Sequence, residues 1–425
     1  MIYNHVLKKL FSLLSIFKKV LGVSLTCALF YLLYKKYQQI KKKSMSNLIY
    51  KTSKENKYIV NSMLPLNFVP SFMFPTYLTQ ACYHELKNIQ RTYFKREYII
   101  NEEDSGLISL DWAVFYNRKL MTLNNYNKAI YSKSFKKWIN TFNSKEKKSS
   151  DLEYFTNKKS YHYSNLLSNK ECKNNLSLSY NTSSFYIEET EIHKERLLVI
   201  IHGLTGGSET VYIRDIVDAY VNDYSVVIIH ARGINDTPLH TIQATHAGFT
   251  KDIEYTLNYI RKSYPSFKYV FLMGISMGAN VSYQLLAKNR SFDDYILGYI
   301  CISNPFHQLN VMQAHTKSLT DYFLYNGKLS YLLKNKDILF NHPNFDYERI
   351  INSKSTCEFD NEMLCKLYGY ENPKDYYNKT SSGPLIDKLI NIKTLILVSK
   401  DDPIVYLTKE DCKKSKINNN IDYYF

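Results

Sequence analysis

The stretch from Tyr269 to Lys288 reads YVFLM, then GISMG, then ANVSYQLLAK. A short apolar run, a glycine-flanked serine and a helical run in that order describe a buried strand that turns sharply into a helix. Backbone at such a turn is strained, and side chains on either side would collide. Small residues are therefore required at Gly274 and Gly278, with Ser276 left at the apex. The helix that follows brings free N–H groups and a positive dipole end close to that serine. This pattern predicts a nucleophile at Ser276; a glycine-rich turn of no catalytic meaning is the alternative when the pentapeptide stands alone.

The same alternation surrounds it. From Arg196 onward LLVII precedes His202, SVVII precedes His230, ILGYICI precedes Ser303 and TLILV precedes Ser399, with helical stretches between. Continuous apolar strands separated by helices predict an α/β protein whose sheet is mostly parallel and covered on both faces. Upstream, REYIINEEDSGLISLDW (Arg96 to Trp112) reads as two short strands joined by a turn at Glu103 to Gly106. Residues from about 117 to 180, rich in Asn, Lys, Ser and Tyr, read as a poorly ordered polar insertion. Those from about 304 to 380 form a Tyr-rich segment without clear strands, where a cap would sit.

Chemistry gathers at the strand ends. His202, Gly203, Leu204, Thr205, Gly206 and Gly207 follow LLVII, and the amides of Leu204 and Met277 are the expected oxyanion donors. Neither G-x-x-x-x-G-K-[ST] nor G-x-G-x-x-G occurs, which argues against a phosphate loop. His202 is expected to order the loop. Asp402, after TLILV, is the expected acid of a catalytic triad, with Asp401 a solvated or turn-capping neighbour and a plain Asp-Asp-Pro turn as the bland reading. The eleven histidines all precede Asp402. The expected base would follow one more strand, of which NNIDYYF looks like the start, so this 425-residue form is expected to show near-background esterase activity. Recruitment of His230, His246 or His307 is the other possibility.

At the N-terminus, Val20 to Tyr34 is an apolar run bracketed by Lys18, Lys19, Lys35 and Lys36. It predicts a membrane anchor within residues 1–50. A cleaved signal peptide and an in-plane amphipathic helix over His5 to Phe17 are the rivals. The net charge of +16 is carried largely by lysines here and in the polar inserts, without the periodic basic face that nucleic-acid binding requires. Seven scattered cysteines contain no CxxC pair, so no metal site and no disulfide framework is expected. No cofactor is expected, and Cys301 reads as core. The pattern names no oligomeric state.

Together HGLTGGSETVYIRDIV, HARGIND, HAGFTKDIEYTLNYI, GISMGAN, FDYERI, YYNKTSS and SKDDPIV resemble the abhydrolase-domain 1/2/3 family of α/β-hydrolases, which includes the YheT-like and EMB8-like hydrolases. The resemblance spans most of 65–425. It implies an eight-stranded sheet, here with an incomplete last strand, a cap insertion, Ser276 as nucleophile and Asp402 as acid. It also implies membrane-associated hydrolysis of lipid-like esters (acylglycerols, phospholipids or medium-chain esters) through an acyl-enzyme. Two departures are visible: HARG stands where NARG is usual, expected to alter loop packing around Arg232, and the region of the family's GGH-type histidine is missing. A non-catalytic lipid- or partner-binding membrane protein and an acyltransferase are the alternatives.

Overall fold

The computed structural model describes residues 30–32, 34–35, 38, 48–50, 57–58, 93–114, 130–131, 195–316, 318–389, 391–399, 402, 404–405, 411 and 421–424. Its sheet contains β1 (Leu48–Tyr50), β2 (Tyr93–Asn101), β3 (Gly106–Val114), β4 (Ile130–Tyr131), β5 (Arg196–Ile201), β6 (Ser225–His230), β7 (Tyr269–Ile275), β8 (Ile296–Ile302), β9 (Lys393–Leu397) and β10 (Ile421–Tyr424). Their order is β1-β10-β9-β8-β7-β5-β6-β3-β2-β4. From β6 through β10 every pairing is parallel, while β3 joins β6 antiparallel. Ten strands among the described residues replace the expected eight. The additions include β1 and β4, edge pairings of three and two residues, too short to leave an alternating pattern in the sequence. β4 falls inside the stretch read as a polar insertion.

The runs form strands because β-branched and other apolar residues pack on both faces of the sheet. Alternation along β5 divides its partners. Leu198 and Ile200 pack with Ile213 and Val217 of α1 (Val211–Tyr220). Leu197, Val199 and Ile201 pack with Ile253, Leu257 and Ile260 of α2 (Lys251–Ser263), in a core shared with α3 (Met277–Lys288). Helices therefore cover both faces. The predicted hairpin is β2–β3, longer than expected, pairing Tyr93 with Val114 through to Asn101 with Gly106.

Between β8 and β9 the chain forms α4 (Gln308–His315), α5 (Leu319–Lys334), short helices including Thr356–Asp360, and α6 (Pro373–Thr380). Ser318, Ser355 and Asn372 each accept an N–H bond at a helix start, the capping that a stretch rich in Ser and Asn provides.

Of the apolar N-terminal run, residues 30–32 and 34 lie among the described residues, and Phe30, Tyr31, Leu32 and Tyr34 are exposed. Among the described residues no helix is long and apolar enough to cross a membrane. The rest of that run lies outside the described residues.

Candidate active site

β5 and β7 are neighbours with Ile201 opposite Gly274, so the loops that follow them meet at the carboxyl end of the sheet. In this order β5 lies between β6 and β7, the kind of switch point where open α/β sheets bind ligands. Ser276 sits there at φ 54° and ψ −119°. A non-glycine residue held in that region carries a strain of about 1–3 kcal/mol, maintained only where the surroundings dictate it.

Those surroundings are close contacts. A Cβ on Gly278 would lie 2.4 Å from the carbonyl oxygens of both Ile201 and His202, and one on Gly274 would lie 2.6 Å from Cα of Ala279. The Ser276 N–H donates to the Ile302 carbonyl at 2.8 Å, tying the turn to β8. Ser276 is the N-cap of α3, a position where serine ordinarily accepts an N–H bond from its own helix. Here it makes no such bond.

Ser276, Met277 and Leu204 line one cavity of about 120 Å³. The sequence-predicted nucleophile and both predicted amide donors thus share a space. Met277 is the first residue of α3, so its N–H has no intrahelical acceptor. Among the described residues neither its amide nor that of Leu204 donates a hydrogen bond. The loop carrying Leu204 is shaped by Tyr212, whose hydroxyl accepts the Gly203 N–H at 3.2 Å. It is strained as well, since Thr205 takes φ 55°, rare for a β-branched residue.

Asp402 follows β9, and one of its oxygens accepts the N–H groups of Ile404 and Val405, each at 2.9 Å. Two amides fix that carboxylate in one orientation. Ile404 lines the cavity with Ser276, whereas Asp402 does not. Asp401 lies outside the described residues.

Four described histidines, His202, His230, His246 and His307, make their hydrogen bonds to groups other than Ser276 and Asp402. His202 donates from Nδ1 to the Gly203 carbonyl at 2.7 Å and accepts the Ala231 N–H on Nε2 at 3.2 Å. It orders its loop, and burial aided by nearby His230 lowers its pKa to about 4. His230 is buried and directs Nε2 to Asp111 at 2.9 Å. Asp111 also takes a two-point contact from Arg96 and a short bond from Ser208. The histidine of HARG thus reaches Asp111 and, at 3.4 Å, Asn235 of the loop that carries Arg232, while Arg232 itself is held by Asp252 and Asp104. His246 lines the cavity, but its Nδ1 accepts the Gly248 N–H at 3.1 Å. Burial, and next the charge of Lys328, lower its pKa to about 3. His307 pairs through Nε2 with Asp411 at 2.9 Å, away from the cavity lining.

Sequence reasoning missed the amides that hold the cap. Asn280 Nδ2 donates to the carbonyls of Ala247 and Thr380 at 2.8 Å, and its Oδ1 accepts the Ser382 N–H at 3.0 Å. Gln284 donates to the same two carbonyls. The signal was present: polar residues on a helix buried from Gly278 to Ala287 must find partners. Cys301 is core, as expected, its thiol pushed up to about 12 by burial. Among the described residues no cluster of three His, Cys, Asp or Glu could hold a metal.

Residues 196–420 match the family model described as alpha/beta hydrolase fold. A monoacylglycerol lipase of Saccharomyces cerevisiae is 31% identical over 221 residues, covering 49% of this chain and 48% of that protein. The embryogenesis-associated protein EMB8 of Picea glauca is 26% identical, covering 49% of this chain and 46% of EMB8. The putative esterase YheT of Escherichia coli is 27% identical, covering 50% and 63% respectively. The chain spans about half the length of the first two relatives.

Proposed function

This chain belongs to the alpha/beta hydrolase fold family, and from that premise we propose that it is a serine hydrolase of lipid-like carboxylic esters. One observation carries the reading. The Ser276 hydroxyl, on a strained turn and not spent on capping its own helix, borders the same cavity as two amides without acceptors among the described residues.

In this mechanism the Ser276 oxygen attacks the ester carbonyl, and its proton passes to a histidine oriented by Asp402. Negative charge on the carbonyl oxygen is taken up by the N–H groups of Leu204 and Met277, fixed before the charge appears and each worth roughly 3–4 kcal/mol. Collapse of the tetrahedral intermediate expels the alcohol, which receives the proton, and water then releases the acid from the acyl-serine. Among the described residues none of His202, His230, His246 and His307 is hydrogen-bonded to Ser276 or Asp402. The names of the lipase and esterase relatives support a lipid-like ester as substrate. The apolar N-terminal run flanked by lysines supports attachment to a membrane.

The test is fluorophosphonate labelling of the native protein. Labelling that Ser276→Ala abolishes is the expected result. A folded protein that takes up no label would favour the lipid- or partner-binding reading instead.

A further inference from the structure

The cavity beside Ser276 is walled mainly by apolar side chains, Val311, Met312, Leu324, Phe359 and Met363 among them. Lys328 stands out in that wall. Among the described residues lining the cavity it is the one with a permanent charge, since His246 is neutral near pH 7. Lys328 lies on α5, and its neighbour Gly327 packs on the oxyanion loop: a Cβ there would meet Cγ2 of Thr205 at 3.4 Å.

An unbalanced ammonium in such a wall would draw in carboxylates and phosphates. Lys328 is balanced. Its Nζ contacts both oxygens of Asp360, at 2.5 and 2.6 Å, and Asp360 is fully buried. Tyr377, from α6, donates its hydroxyl to the same carboxylate at 2.8 Å and holds it in place. A substrate approaching Lys328 therefore meets an ion pair whose net charge is zero, and an anion gains little there against its loss of hydration. An ammonium has three donors, however, and Asp360 takes two. The third suits a neutral oxygen.

We propose that Lys328, balanced by Asp360, is a specificity-determining residue that selects uncharged esters bearing a further hydroxyl or carbonyl oxygen and rejects anionic ones of equal chain length. This rests on the serine-hydrolase reading for the word ester, while the selection itself is a binding property. It is therefore tested without turnover.

The probes are a 1-O-alkylglycerol ether, which is neutral and cannot be hydrolysed, and the alkyl carboxylate of the same length, with dissociation constants measured by calorimetry. The wild type is expected to favour the ether at least tenfold. Asp360→Asn, which frees the ammonium, is expected to shift the ratio at least tenfold toward the carboxylate. Because that change disturbs a buried pair, the double variant Lys328→Met with Asp360→Asn supplies an uncharged control. It is expected to bind the ether no better than a plain alkanol of that length. Preference of the wild type for the carboxylate, or a double variant that still prefers the ether over the alkanol, would overturn the proposal. Loss of fluorophosphonate labelling with these ratios intact would instead count against the hydrolase reading alone.

Discussion

The turn at Ser276 and the cap above it enclose the same cavity but are held by different forces. The turn is set by backbone packed on backbone, with no room at Gly278 for a single carbon. The cap is held by side-chain hydrogen bonds reaching across 96 to 103 positions, from Asn280, Gln284 and Tyr283 to Thr380, Ser382 and Ile386. Steric exclusion tolerates no change, whereas redundant hydrogen bonds can be lost one at a time. The reactive geometry should accordingly be brittle and the cap forgiving.

Gly278→Ala should produce the largest effect. Its Cβ meets two carbonyl oxygens that belong to β5 and its loop, so the helix must move, at a cost of about 3 kcal/mol in urea unfolding and with loss of labelling. Asn280→Ala should cost less, about 2 kcal/mol. Gln284 still satisfies the carbonyls of Ala247 and Thr380, leaving the Ser382 N–H as the main orphan, and hydrogen exchange should rise first at Ser382. An Asn280→Ala variant as damaged as Gly278→Ala would erase the distinction.

Acid should act through the buried imidazoles. His202 and His246 stay neutral in the fold, with pKa values lowered to about 4 and about 3, chiefly by burial. The unfolded chain takes up protons at these sites below about pH 6.5 while the folded chain does not. Their stabilising contribution is therefore whole above that pH and declines as pH falls toward 4. Urea midpoints measured between pH 7.5 and 5 should drop, and His202→Gln should flatten the slope. The smallest effect concerns strain at Ser276. Ser276→Gly should unfold about 1 kcal/mol later than Ser276→Ala, since glycine adopts φ 54° without penalty.

The same contrast explains what could be read from the sequence. Demands at the turn act on residues two positions from Ser276, so GISMG displays them directly. Strands β5 to β9 were legible because burial on both faces leaves unbroken apolar runs, and Leu204 followed from the end of β5. Edge strands β1 and β4 were hidden, because two or three residues carry no periodicity. Lys328 and Asp360, 32 positions apart on separate cap segments, meet through tertiary packing that no local spacing records. The Asp111 partner of His230 could not be read, because β3 brings it from 119 positions away.

On the proposed function, negative charge formed beside Ser276 is received by the amides of Leu204 and Met277, which share its cavity. A crystal structure of the phosphonylated protein would show whether this is so. Phosphorus is expected on the Ser276 oxygen, with a phosphonyl oxygen within about 3.2 Å of the Leu204 and Met277 nitrogens. An adduct on another side chain, or a phosphonyl oxygen turned away from both amides, would contradict it.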